Sequence, residues 1–319
     1  MNKLKKTFVR WESFLILVIV LEFVVFGAMN SKFLNITRLF NSLNQFIPVC
    51  IISLFVTFVM ITGGIDIQAG SIVGLTSIMV GVLWNDAGLN IFVACAIALI
   101  AGALCGALSG FFVAYTGVQP MVVTLGGSFL YSGLALAVTN MSATEAYQGI
   151  SNFPEAFRAI SKTKVFGVIP MQFVIFLVLV LLSYMLLHRT NYGRKIFLCG
   201  VNQSAAEFSG INSRAVIMST YVLSGLSASI AGILLTAYLG TAKADMGAEY
   251  TLPIITAVVL GGTSNLGGSG GVIGSALAAL AIGLLRIGLN LNGVATQYLD
   301  IPVGIMLVLV VSFRFAGTN

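Results

Sequence analysis

Apolar residues run along this chain in long blocks, parted by short polar or glycine-rich joints. A helix that crosses a bilayer needs about 20 such residues. The blocks at 14–29, 46–62, 91–115, 121–138, 171–187, 215–238, 272–289 and 301–313 read as helices of that kind. Another lies between GGIDIQAGS and about Trp84, and a short one, 252–260, is cut off by GGTSNLGGSGG. The pattern therefore predicts an all-α polytopic membrane protein with about ten transmembrane helices, folded as one domain over 1–319. A β-barrel would instead alternate apolar and polar positions over segments of about ten residues.

The joints carry the orientation. Lys3, Lys5, Lys6 and Arg10 precede the first block, and Arg189, Arg194, Lys195 and Arg214 share the 188–214 joint with a single acid, Glu207. Loops rich in Lys and Arg stay in the cytoplasm, which places both termini and the 188–214 loop inside. The segment 139–170 mixes Glu145 and Glu155 with Arg158, Lys162 and Lys164, and reads as external, with a helix lying on the surface. Lys243, Asp245 and Glu249 mark a further external turn. Composition agrees: 58% of residues are hydrophobic and 8% charged, against about 25% charged in soluble domains. The net charge of +6 is then a matter of topology and not of nucleic-acid binding. The basic start lacks a small-residue cleavage site and reads as an uncleaved first span, not a signal peptide. The protein is expected in the inner membrane as a multi-pass protein.

Within 188–214, Ser204 and Glu207 have the S-x-x-E spacing of a capping box. Ala205, Ala206 and Phe208 continue a helix that Gly210 is placed to stop. A helix of little more than one turn is unstable alone, so this one reads as a docking element. Two glycine pairs echo each other: Gly63-Gly64 precedes Gly70-Ser71 as Gly261-Gly262 precedes Gly268-Ser269. Paired glycine breaks in the two halves of a transporter point to its pathway; with 35 glycines in the chain, close helix packing is the other reading. Asp66, followed by Gln68, stands in apolar sequence. It either caps the next helix or lines the route, since an ionisable group at membrane depth is costly. Asn265 lies in the second break. Glu12 and Glu22 flank or enter the first span, Arg286 can snorkel from the outer end of its span, and the lone His188 makes an imidazole relay or metal site a poor reading. Cys50, Cys95, Cys105 and Cys199 show no ligand spacing or disulfide framework. No nucleophile motif and no GxxxxGK[ST] loop occurs, so no catalytic role, metal or cofactor is expected, and any ATP hydrolysis belongs to another subunit.

GGIDIQAGS (63–71), VQPMVVTLGG (118–127), YGRKIFLCGVNQSAAEFSGI (192–211) and AVVLGGTSNLGGSGGVIGS (257–275) together resemble the permease subunits of bacterial ABC importers for ribose and related sugars, over almost the whole chain. WESFLILVIVLEFVVFGAMN and AYQGISNFPEAF are most similar to the permeases of the autoinducer-2 import type. The chain departs from the ELDAIAA-like run of many ribose permeases at EYTLPIITA, keeping Glu249 and changing Leu252-Pro253. The resemblance implies a second permease subunit, two cytosolic ATPases and a periplasmic solute-binding protein that engages 139–170 and 242–250. It makes 202–210 the coupling helix, with Arg194, Gly200, Asn202, Ser204, Ala205, Ala206, Glu207 and Gly210 at the ATPase, and it implies few tight solute contacts in the membrane. Autoinducer-2 is the expected solute, with ribose or another pentose-type sugar next. The rival reading is an ion- or proton-coupled carrier built on Asp66.

Overall fold

The computed structural model describes residues 11–144 and 148–316, with side chains to 308. The basic cluster Lys3, Lys5, Lys6 and Arg10, together with Glu145 and Ala146, lies outside the described residues. The helices are α1 Trp11–Met29, α2 Ile36–Leu43, α3 Ile47–Ile61, α4 Ala69–Asn85, α5 Ile91–Tyr115, α6 Pro120–Thr139 and α7 Glu155–Lys162. They continue with α8 Met171–His188, α9 Asn191–Val201, α10 Gln203–Phe208, α11 Ser213–Leu239, α12 Thr251–Leu260, α13 Val272–Leu291 and α14 Asp300–Ala316. Each apolar block of the sequence falls on a helix. Among the described residues six of them are long and apolar enough to cross a membrane, and α2 with α3, bent by 56°, makes a seventh candidate. Helices α4, α12 and α14 are shorter.

Helix α3 sits at the centre, buried at every position from Ile47 to Ile61, as a helix apolar on all sides should be. The outer faces of α1, α5, α6 and α8 leave Leu17, Val24, Leu104, Phe129 and Leu181 exposed, the surface expected to meet lipid tails. Between helices the contacts are small and polar. Gly102, Gly106 and Gly110 repeat every fourth residue on α5 and press on α11, where a methyl group on Gly106 would strike the Tyr221 carbonyl. Small residues at such spacing let backbones approach. Hydroxyl pairs add to this: Thr76 with Ser229 at 2.9 Å, Thr236 donating to Ser77 at 2.7 Å, and Thr57 donating to Ser275 at 2.7 Å.

Two of the short helices, α4 and α12, each follow a non-helical stretch packed against another helix. The chain leaves α3 at Ile61, runs without helix through 62–68 alongside α11, and starts α4 only where Asp66 meets Ser224 and Gln68 meets Ser109. In the opposite sense, α11 ends at Leu239 and the non-helical segment 241–250 descends along the small-residue face of α4. Ala242 lies against Gly81, Ala244 against Gly74 and Gly247 against Gly70, and the Thr251 hydroxyl reaches the Ile67 carbonyl at 3.2 Å. The step from Gly81 to Gly70 is eleven residues of α4, or about 16 Å at 1.5 Å per residue. The stretch carrying Lys243, Asp245 and Glu249, expected as an external turn, thus packs along the length of α4. Glycines 70, 74 and 81 leave room for its backbone, and the surrounding protein satisfies groups that lipid could not.

The end of the bundle opposite the breaks is closed by 139–170, where the surface helix expected from the sequence appears as α7. Ile150–Ser151 pairs antiparallel with Thr241–Ala242, Ile150 opposite Ala242. The two stretches expected to face the binding protein are therefore one hydrogen-bonded unit.

Candidate functional site

The 188–214 joint is not a loop but two helices. Thr190 caps α9, its hydroxyl accepting from the Gly193 N–H at 3.3 Å, and Gly193, Ile196 and Cys199 form the buried side. Asn202 ends α9 and begins α10: its backbone N–H donates to the Leu198 carbonyl, and its side chain accepts from the Ala205 N–H at 2.9 Å. The capping box expected at Ser204 and Glu207 does not form. Asn202, two residues earlier, already satisfies the first turn. Glu207 instead accepts from the Ser213 hydroxyl and from Gln203 at 3.4 Å, and the Ser213 and Gln203 bonds, in that order, hold its carboxyl below the ordinary range. Gly210 does stop the helix, at φ +79°, with the Ile211 N–H closing on the Ala206 carbonyl at 3.0 Å. That left-handed geometry suits glycine. In α10 Ala206 is buried, while Ser204, Ala205 and Glu207 are exposed and Phe208 stands 94% exposed. Arg194 is exposed on α9.

Gly200 plays a different part from its neighbours. It faces into the bundle, where a side chain would strike the Ile61 carbonyl and the Gly268 N–H. Gly268 itself donates to the Ile61 carbonyl at 2.8 Å, and Gly267 packs on Gly63. The C-terminal turn of α9 thus rests where both glycine breaks meet.

The breaks share one geometry. Helix α3 ends with Gly63 at φ +83° and α12 with Gly262 at φ +89°. In each the next N–H reaches back five residues, Gly64 to Val59 at 3.0 Å and Thr263 to Val258 at 3.2 Å. Equivalence therefore pairs Gly63 with Gly262 and Gly64 with Thr263, one residue out of step with the echo read from the glycine pairs. The trailing Gly-Ser pairs differ too: Gly70 lies inside α4, and Gly268 lies in the joint before α13. Gly261 packs on Gly274, and Asn265 is exposed.

Asp66 is 1% exposed. One carboxylate oxygen accepts from the Gln68 N–H at 3.1 Å, with the Ala69 N–H also bonded, and the other accepts from the Ser224 hydroxyl at 2.6 Å. It is anchored at the start of α4, where a negative group suits the dipole. Gln68 is fully buried, accepting from Ser109 at 2.6 Å. Glu22 is buried on α1 with no hydrogen-bond partner on either oxygen among the described residues. His188 packs between Tyr184 and Phe197. Arg286 is paired. Asp300 holds it at 2.8 Å, with the guanidinium 6.0 Å over the Phe46 ring.

Arg286 belongs to a feature that the sequence did not announce, a cavity of about 840 Å³ at the end opposite the breaks. It descends from Asn35 and Asn41 beside α2 to Phe46, Pro253 and Gly283 at the start of α12. Amides and charges scattered over four elements give no local motif, so only their assembly makes it visible.

A bundle of apolar helices with glycine breaks and a surface helix at their junction is the architecture of a membrane permease. The chain belongs to the family described as branched-chain amino acid transport system / permease component, matching it over residues 38–311. It is similar to the autoinducer 2 import system permease protein LsrD of Yersinia enterocolitica serotype O:8 / biotype 1B, with 42% identity over 304 residues, 95% of this chain and 91% of that protein. The proteins of that name from Yersinia pseudotuberculosis serotype O:3 and Photorhabdus luminescens are 41% and 40% identical over the same shares. No solved structure matches the chain.

Proposed function

We propose that this chain is the permease subunit of an ATP-driven importer in the inner membrane that carries a sugar-like solute, autoinducer-2, to the cytoplasm, with ribose or a related pentose the next choice. It works beside a second permease, two cytosolic ATPases and a periplasmic binding protein. Its ten apolar segments make ten passages, with 62–68 and 241–250 completing those of α4 and α12. The observation that carries this reading is α10. It is capped at Asn202, stopped at Gly210, and presents the almost bare ring of Phe208, while α9 behind it is seated on both glycine breaks. A push on α10 is transmitted through Gly200 to the ends of α3 and α12, which suits the conversion of nucleotide-driven motion into reorientation of the pore. The exposed aromatic marks a contact point for the ATPase, where buried aromatic anchors dominate binding.

The carrier reading finds less support. A proton relay needs ionisable groups that face one another, whereas Asp66 is engaged by two backbone N–H groups and Ser224.

The test is reconstitution with the candidate partner subunits. Phe208→Ala is expected to weaken ATPase association by about thirtyfold, corresponding to an anchor worth ~2 kcal/mol, with transport falling in step. Unchanged association and unchanged uptake of autoinducer-2 overturn the coupling role.

A further inference from the structure

The outer cavity is a large polar recess in the bundle, and it stops where α12 begins. Its volume of about 840 Å³ lies within the range of small-molecule sites. Its rim and walls carry the amides of Asn35, Asn41, Gln45 and Asn290, and each amide both donates and accepts hydrogen bonds. The charges balance. Arg38 and Arg286 supply two cations, Glu249 lies in the wall, and Asp300 neutralises Arg286 at 2.8 Å. An ion of either sign gains nothing from such a lining. A molecule dense in hydroxyl groups gains much, because every hydroxyl finds donors and acceptors on several sides while Phe46 and Pro253 offer apolar faces for its carbon skeleton. The floor at Pro253 and Gly283 adjoins segment 241–250, the part of the route that lacks helical hydrogen bonds.

We infer that this cavity is the entry site for the transported solute, and that it takes a small, uncharged, polyhydroxylated molecule. The assignment rests on the transport reading for its biological sense, and binding can be measured without transport. Asn290 is exposed on one wall and Asn41 on the other, whereas Cys50, Cys95 and Cys199 are buried and Cys105 half-buried. In membranes holding Asn290→Cys or Asn41→Cys, a membrane-impermeant maleimide reacts with the introduced thiol. D-ribose or autoinducer-2 at twice its dissociation constant should slow that reaction about threefold, following 1 + [L]/Kd, and sodium glutamate or choline chloride should not. Arg286→Gln leaves Glu249 and Asp300 facing one cation, Arg38, and should make choline protective. Labelling that neither neutral solute slows at either position overturns the assignment, and so does equal slowing by glutamate. Slowing that needs co-expressed partner subunits, with no added effect of solute, also overturns it and makes the recess a docking face. No ATP enters the assay, so loss of ATP-driven import alone counts against the importer reading and leaves this result standing.

Discussion

At the scale of single residues, Asp66 shows how a burial cost is offset. A carboxylate at this depth is tolerated because three donors converge on it, from Gln68, Ala69 and Ser224. Asp66→Leu removes the acceptor and strands all three, at about 1 kcal/mol or more each, so a loss of roughly 3 kcal/mol is expected. It should appear as a lowered unfolding midpoint of the solubilised protein. Asp66→Asn keeps one acceptor oxygen and a group that the rotatable Ser224 hydroxyl can meet, so it should insert normally. If Asp66→Asn inserts yet transports poorly, the residue has a role in the route beyond anchoring α4. The sequence made Asp66 conspicuous and offered capping as one of its two roles, but it concealed Ser224, a partner 158 positions away. It misplaced the cap of α10 for a related reason. Ser204 and Glu207 have suitable spacing, yet Asn202 is the better acceptor and Ser213 draws Glu207 away.

Among elements, α9 and α10 separate what sequence could and could not reveal. Gly210 and the brevity of α10 were legible because they depend on neighbours in the chain. Helix α9 is hidden in the sequence because Arg194 and Lys195 interrupt it, although Gly193, Ile196 and Cys199 recur at three-residue steps along its buried side. Ala206→Pro deletes the 3.0 Å bond from the Ala206 N–H to the Asn202 carbonyl, and proline inside a helix costs about 3 kcal/mol. A helix of six residues has no reserve of that size, so uptake should vanish while the protein remains in the membrane. Glu207→Arg should act the same way by breaking the tie to Ser213. The contact of α5 with α11 gives an independent check on helix packing. Gly106→Ala drives a methyl group onto the Tyr221 carbonyl and should cost about 1–3 kcal/mol by overpacking. Gly126→Ala, with nothing within 4 Å of its new carbon, should be silent in the same thermal assay. The four-residue spacing of Gly102, Gly106 and Gly110 was open to view in the sequence, but spacing alone names no partner helix.

Across the whole molecule, the apolar blocks predicted the helices well because burial in lipid imposes a signal on every residue. The non-helical stretches before α4 and α12 gave no such signal, since their polar groups are satisfied by distant segments. Their consequence is topological. If 62–68 and 241–250 were surface turns, α4 and α12 would be peripheral, and the ten proposed crossings would fall to eight. Either count is even and puts the two ends of the chain on one side, so the orientation rests on the charges of the joints. The start of α1 is tied to the break end by Trp11, whose indole donates to the Leu260 carbonyl at 2.6 Å, and α9–α10 rests at that same end. The cations Arg189, Arg194, Lys195 and Arg214 lie there, and the positive-inside rule gives that end the cytoplasmic side in the proposed orientation. In right-side-out cells Ser204→Cys should therefore resist an impermeant thiol reagent until the membrane is opened, while Asn41→Cys reacts at once. The purified chain should hydrolyse no ATP, because it has no phosphate-cradling loop. Labelling of Ser204→Cys from outside would invert the orientation and overturn the proposed contact of Phe208 with a cytosolic ATPase.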